Sequence, residues 1–214
     1  MTILKRKSSN YQKKRLFLHL GISIVFYGII LTNGLIIKAQ ETEINHHGFK
    51  VDFSQIKNSS ETDRIIKAVK RQIEIVEEVK LSEENLNFFK SIPIVMIPET
   101  AGQPGVYNAN DNKVFLKARD LAPNRPILLH ELLHAFHNLK IKDGVQNAQI
   151  RNFYEQALKS YPNFQNEYFL SNAKEFFAVT ASIYLFGDIP RPPFNKSSIK
   201  KSQPEYYNFL ETLF

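Results

Sequence analysis

Apolar positions along this chain change their spacing from one stretch to the next, and each spacing predicts a different element. From Leu16 to Ile37 they form a nearly unbroken block, interrupted by His19, Ser23, Thr32 and Asn33. Around Phe49, Val51 and Phe53 they alternate with polar residues, as in a half-buried strand. Ile65, Ile66, Val69, Ile73 and Val76 recur at helical spacing, and Ser60 with Asp63 three residues on resembles a capping box that opens this helix. A short helix is expected from Ser82 to Lys90 and a strand over the compact apolar run Ile92 to Ile97. Gly105-Val106-Tyr107 and Val114-Phe115-Leu116 flank the turn-rich residues 108–113 and read as a hairpin. Asn124 can cap the next helix, with Pro126 in its first turn and Leu128, Leu129, Leu132, Leu133 and Phe136 as its apolar surface. Further helices are expected at Ala148 to Ser160, at Asn172 to Phe186 with Gly187 as the stop, and at Pro204 to Leu213. Strands early, helices late and no internal repeat predict an α+β fold with one domain over residues 61–214, preceded by a polar lead-in over 41–60.

Charge changes the reading of the first forty residues. The chain has 214 residues, 28 basic and 21 acidic, for a net charge of +7. Seven of the basic residues (Lys5, Arg6, Lys7, Lys13, Lys14, Arg15 and Lys38) precede residue 41, where no Asp or Glu occurs, so the remaining 21 balance the acids. The body is therefore neutral, and a nucleic-acid footprint is not supported. A basic start followed by the apolar block 16–37 predicts an export signal over residues 1–40, cleaved near Ala39-Gln40 or retained as a membrane anchor. Either form sends the body out of the cytoplasm, with membrane contact only through this segment. With no cysteine in the sequence, disulfides are excluded.

The chemistry concentrates at His130-Glu131-Leu132-Leu133-His134. Two histidines four residues apart on a helix differ by about 40° in azimuth and about 6 Å in rise, so both imidazoles can reach one metal ion. Glu131, next to the first histidine, is placed to act as general base on a water at that ion. A catalytic zinc needs a third protein ligand. Glu175 is the strongest candidate, because its helix is otherwise rich in apolar residues and a carboxylate buried there needs a compensating charge. A solvent-facing position beside Lys174 is the alternative. Asp143, Glu155 and Glu167 sit in polar surroundings and are weaker candidates. A fourth ligand would close the site, so His137, one turn beyond His134, reads as a neighbour that supports the ligands, with a merely part-exposed histidine as the alternative. His46 and His47 read as loop residues.

His130-Glu131-x-x-His134-Ala135 followed by Tyr168-x-x-x-Asn172-x-x-Glu175-Phe176-Phe177-Ala178 resembles the peptidase domain of anthrax lethal factor. It is also similar to the secreted Pro-Pro endopeptidases of the same metallopeptidase group. The resemblance covers Ile92 to Phe214. It implies a zincin-like metallopeptidase domain with a small mixed sheet, an active-site helix and a helical C-terminal half. It further implies one catalytic Zn2+ held by His130, His134 and Glu175, with Glu131 as base. Tyr168 matches the family tyrosine that steadies the oxyanion or leaving group, and Asn172 in the same run is a further supporting residue. Host-kinase cleavage and the Pro-Pro preference do not carry over, since no accessory domains fit and no residue here transfers the preference.

The expected activity is hydrolysis of a peptide bond by an exported zinc endopeptidase. An extended peptide could pair with either hairpin strand, Gly105-Val106-Tyr107 or Val114 to Leu116, and take its affinity from backbone hydrogen bonds. Two other readings fit the same residues: a non-catalytic exported binding protein on this fold, and a zinc hydrolase of a non-peptide amide such as cell-wall material. The intact trio His130, Glu131 and His134 argues against the first. A neutral body without an evident carbohydrate-binding aromatic cluster leaves the second open.

Overall fold

The computed structural model describes residues 42–56, 60–99, 102–118, 121–122, 124–187 and 194–214, so the expected leader lies outside the described residues. Five strands form one sheet: β1 (Glu43–His46), β2 (Phe49–Asp52), β3 (Ile94–Ile97), β4 (Gly105–Asn108) and β5 (Lys113–Lys117). Their spatial order is β1-β2-β3-β5-β4. The two ends pair antiparallel and the middle pairs parallel, so the sheet is mixed and β4 lies at one edge. β1 and β2 join through His47 and Gly48, both at positive φ (52° and 90°), the conformation a two-residue hairpin turn requires. Residues 43–52 thus supply two strands to the sheet. His46 closes β1 rather than lying in a loop.

Seven α-helices accompany the sheet among the described residues: α1 (Thr62–Glu78), α2 (Glu83–Ser91), α3 (Ile127–Leu139), α4 (Ala148–Ser160), α5 (Ala173–Phe186), α6 (Lys196–Ser202) and α7 (Pro204–Leu213). The structure has the expected α+β class, with a small mixed sheet and a helical C-terminal half. α1 buries Ile65, Val69, Ile73 and Val76, the face its spacing predicts. Its start differs from expectation: Glu61 occupies the N-cap position with no side-chain cap bond, so Ser60 and Asp63 form no capping box.

The start of α3 also differs. Asn124 does not cap it; Pro126 holds the N-cap position, where no side chain bonds the helix end. One orphan N–H of the first turn is met across the fold instead. Gln72 of α1, fully buried, accepts from the Leu128 N–H at 3.1 Å through Oε1. Its Nε2 donates to the Ala122 and Arg125 carbonyls at 3.1 and 2.9 Å. One amide therefore ties α1 to the segment that leads into α3.

α3 packs on β4, on β5 and most extensively on α5. α5 is apolar almost all round, and everything from Phe176 to Ile183 is buried. Phe176 stacks on Tyr206 of α7 with ring centroids 4.9 Å apart and meets Phe194 edge-on at 6.0 Å. These contacts fix α5 against α7 and Phe194 by shape, since aromatic rings of this size dominate the burial energy of a small core. No helix among the described residues is long and apolar enough to cross a membrane.

Candidate metal centre

α3 and α5 each bring half of a site to one point. His130 and His134 share a face of α3, with rings 4.7 Å apart at 88° and their Nε2 atoms 3.1 Å apart. Glu175 approaches from the first turn of α5, where Asn172 caps the helix. The Asn172 side chain accepts from the Lys174 and Glu175 N–H groups at 3.0 and 3.1 Å. That cap fixes the turn on which Glu175 sits. Its Oε2 lies 3.3 Å from His130 Nε2 and its Oε1 lies 3.4 Å from His134 Nε2. All three residues are half-buried, and their ligand atoms lie within 4.8 Å of one another.

These separations fit a shared ion. Ligands bound at about 2.05 Å on the corners of a tetrahedron lie about 3.3 Å apart. Glu175 Oε2 is buried with no hydrogen-bond donor in line with it, although His130 Nε2 is close by. The three groups converge on a common point more than they satisfy each other. Burial alone would raise the Glu175 carboxyl. The close His130 and His134 rings and the Tyr168 hydroxyl outweigh it and hold the group well below the usual carboxylate range. The group can hold a metal ion.

Glu131 follows His130 on α3 but points toward β4. It is buried at 6% exposure, and its Oε2 accepts from the Tyr107 N–H at 2.9 Å. Burial pushes its carboxyl above the ordinary range, opposed by His130, His134 and the Tyr107 N–H. The room for it is made by Gly105. A Cβ at that position would stand 2.9 Å from Glu131 Cγ and 3.1 Å from Oε1. Gly105, singled out in the sequence as a strand residue, thus shapes the seat of Glu131.

The edge position of β4 decides which of its groups are available. Lys117 N–H donates to Pro104 C=O at 3.0 Å. Given the register Gly105↔Leu116, the hydrogen bonds to β5 fall on alternate residues, Pro104 and Val106. Backbone groups of Gly105 and Tyr107 point away from the sheet, and the Tyr107 N–H is the one Glu131 takes. Val106 is 52% exposed. Val114 to Leu116 lie on β5, paired on both sides, so of the two hairpin strands Gly105-Val106-Tyr107 is the one at a sheet edge among the described residues.

Tyr168 occupies a short 3-10 turn, Tyr168–Leu170, and reaches the site: its hydroxyl hydrogen-bonds Glu175 while the ring is 47% exposed. His137 differs from its expected partial exposure. It is buried at 1%, packs on Phe177 at 4.8 Å, and neither ring nitrogen has a hydrogen-bond partner among the described residues. Burial lowers its pKa to about 4, with smaller contributions from His134 and Lys174. It does not belong to the converging group. Asp143, Glu155 and Glu167 do not belong to it either.

A cleft of about 350 Å³ opens beside His130, Glu131 and Tyr168. Its walls include Arg125, Ile127, Val179, Ser182 and Ile183, none of which the sequence reading singled out. A signal was available for most of them: Ile127 precedes His130 by one helical turn, and Val179, Ser182 and Ile183 follow Glu175 at four, seven and eight residues, on the same face.

No known protein family matches this chain, and no curated protein matches it either. Among solved structures, the chain is similar to the Pro-Pro endopeptidase from Paenibacillus alvei at 20% identity. That match covers 73% of this chain and 91% of the other, with a TM-score of 0.47.

Proposed function

We propose that this chain is an exported zinc endopeptidase. The observation that carries the reading is the convergence of His130, His134 and Glu175 with Glu131 seated between them and a free strand edge. Two imidazoles and one carboxylate are the ligand set of a catalytic zinc with an open position, rather than of a closed structural site. Bound there, the ion supplies Lewis acidity toward a water and a carbonyl oxygen. The basic start and apolar block of residues 1–40 support export.

The residues divide the work as follows. A peptide lies along β4 and pairs with the outward backbone groups of Gly105 and the Tyr107 carbonyl, which brings its scissile bond over Glu131. Glu131 takes a proton from the attacking water and returns it to the leaving nitrogen. Its buried seat makes it a stronger base than an exposed carboxylate. The Tyr168 hydroxyl, half in solvent and beside Glu175, donates to the carbonyl oxygen as negative charge gathers there. Asn172 holds the first turn of α5, and with it Glu175, in place. The same matching runs, His130 to Ala135 and Tyr168 to Ala178, are those that resemble lethal factor-type peptidases.

The test is cleavage of a random peptide library by zinc-loaded protein, beside two variants. Glu131→Ala is expected to keep the metal and lose hydrolysis by about 10²- to 10⁴-fold, and His134→Ala to lose both. Undiminished cleavage by Glu131→Ala overturns the mechanism. Metal uptake without turnover of any peptide favours a binding protein.

A further inference from the structure

The cleft beside the metal centre carries a charge that the proposed hydrolysis does not use. Arg125 lines it, immediately before Pro126 and Ile127. Its backbone is fixed from both sides. The N–H donates to Ala122 C=O at 3.1 Å, and the carbonyl accepts from Gln72 Nε2 at 2.9 Å and from the Ile127 N–H at 2.8 Å. The side chain contrasts with this: it is exposed, and its guanidinium has no hydrogen bond or ion pair among the described residues. Glu131 and Glu167 share the cleft lining, and neither pairs with it. Ile127, Val179 and Ile183 add apolar wall to the same cleft. Arginine stays charged at every working pH and presents a planar fork of donors matched to a carboxylate. An anchored backbone removes part of the ordering cost of using it.

The direction of the bound peptide follows from β4. Gln103 and Pro104, just before the strand, share the cleft with Arg125 and Ile127 at the start of α3. At the other end, Asn138 Nδ2 donates to the Tyr107 hydroxyl at 3.4 Å, near the end of α3. The N-terminal end of β4 therefore lies toward the start of α3, with Gly105 and Tyr107 meeting Glu131 beyond it. A peptide added antiparallel, the more stable pairing per residue, carries its C-terminal residues toward Arg125.

Resting on the peptidase reading, we infer that Arg125 is a specificity residue that binds a substrate carboxylate on the C-terminal side of the scissile bond. The carboxylate can belong to an Asp or Glu side chain or to the end of the peptide. Charge-assisted pairing of this kind in the cleft corresponds to about a tenfold preference.

The experiment compares kcat/KM of the zinc-loaded full chain on matched peptides. One pair carries Glu or Gln two or three residues past the cut, with amidated ends. A second pair has a neutral sequence ending in a free acid or an amide. A ratio of about ten for either pair is expected, and which pair shows it identifies the source of the carboxylate. In Arg125→Gln the ratio is expected to fall to about one, and Arg125→Glu is expected to prefer a Lys-bearing peptide. Equal rates within both pairs overturn the inference, as does a ratio that Arg125→Gln leaves intact, or a preference confined to the N-terminal side. If the chain cleaves nothing, the peptidase reading fails by itself, and calorimetric titration of the same pairs onto Glu131→Gln protein reads Arg125 separately. A tenfold difference in Kd that disappears on adding Arg125→Gln sustains it, and equal Kd values overturn it.

Discussion

Two clusters in this molecule join a pair of histidines to acidic side chains, and they resolve their charges in opposite ways. On the far edge of the sheet, His46 and His47 stack on one another at 4.1 Å above Glu74 and Glu77 of α1. There each carboxylate finds its own partner. His47 and Lys90 both pair with Glu77, the lysine at 3.0 Å, while Arg71 reaches Glu74 at 3.3 Å. Between α3 and α5, His130, His134 and Glu175 have no lysine or arginine among them, and three ligand atoms point at one space. Both places bring two histidines to a glutamate. What separates an ion-pair network from a metal centre is convergence, set by an i, i+4 pair on one buried helix and a capped carboxylate on the next.

The sharpest way to break this distinction is to disturb the seat of Glu131 while leaving all three converging ligands in place. Gly105→Ala puts a methyl group 2.9 Å from Glu131 Cγ, with Leu116 at 3.0 Å on the other side. Peptidase activity is expected to fall about ten- to a hundredfold with metal uptake retained, since a displacement near 1 Å is enough for that loss. Assays of turnover and bound metal on one sample check it. An equivalent change at the other cluster, His47→Ala, is expected to leave both unchanged.

A second difference lies in what burial does to a histidine that neither cluster uses. Unfolded, His137 takes a proton near 6.5; folded, it stays neutral down to about 4. The unfolded state thus binds the extra proton in that window, and stability falls as pH drops through it. His137→Phe is expected to remove about 3 kcal/mol of that pH dependence. Denaturant unfolding of metal-free protein at pH 7 and pH 4 measures it, and identical pH profiles for parent and variant contradict it. Smaller still is the effect of Asn172→Ala. Loss of the cap is expected to lower stability by about 1 kcal/mol and to weaken metal affinity through Glu175, by about tenfold or more. Thermal unfolding and metal titration read the two effects separately.

Much of the fold was legible because its signals are local. The apolar runs of α3 and α5, the alternation in β2 and the hairpin of β4 and β5 are all written within short windows. β1 was missed because its sequence, Glu43 to His46, is polar and leaves no side chain fully buried. α6 was missed because Ile199 is its one buried residue, although Asn195 and Ser198 form a capping box there. The metal-ligating candidates were legible from spacing, since His130 and His134 are fixed by one helix. Gln72 was not, because the helix end it serves lies 56 residues away in sequence. Asn124 looked like the cap by type and position, yet a buried amide from α1 met that need instead. The place of Arg125 at the cleft depends on the same long-range contact and was equally hidden.

Metal titration of three proteins decides whether α3 and α5 together hold an ion. The parent chain is expected to bind one zinc ion per molecule, His134→Ala to lose that binding, and His47→Ala to keep it with unchanged affinity. Binding that survives His134→Ala, or that disappears with His47→Ala, would show that convergence between α3 and α5 does not make the metal centre.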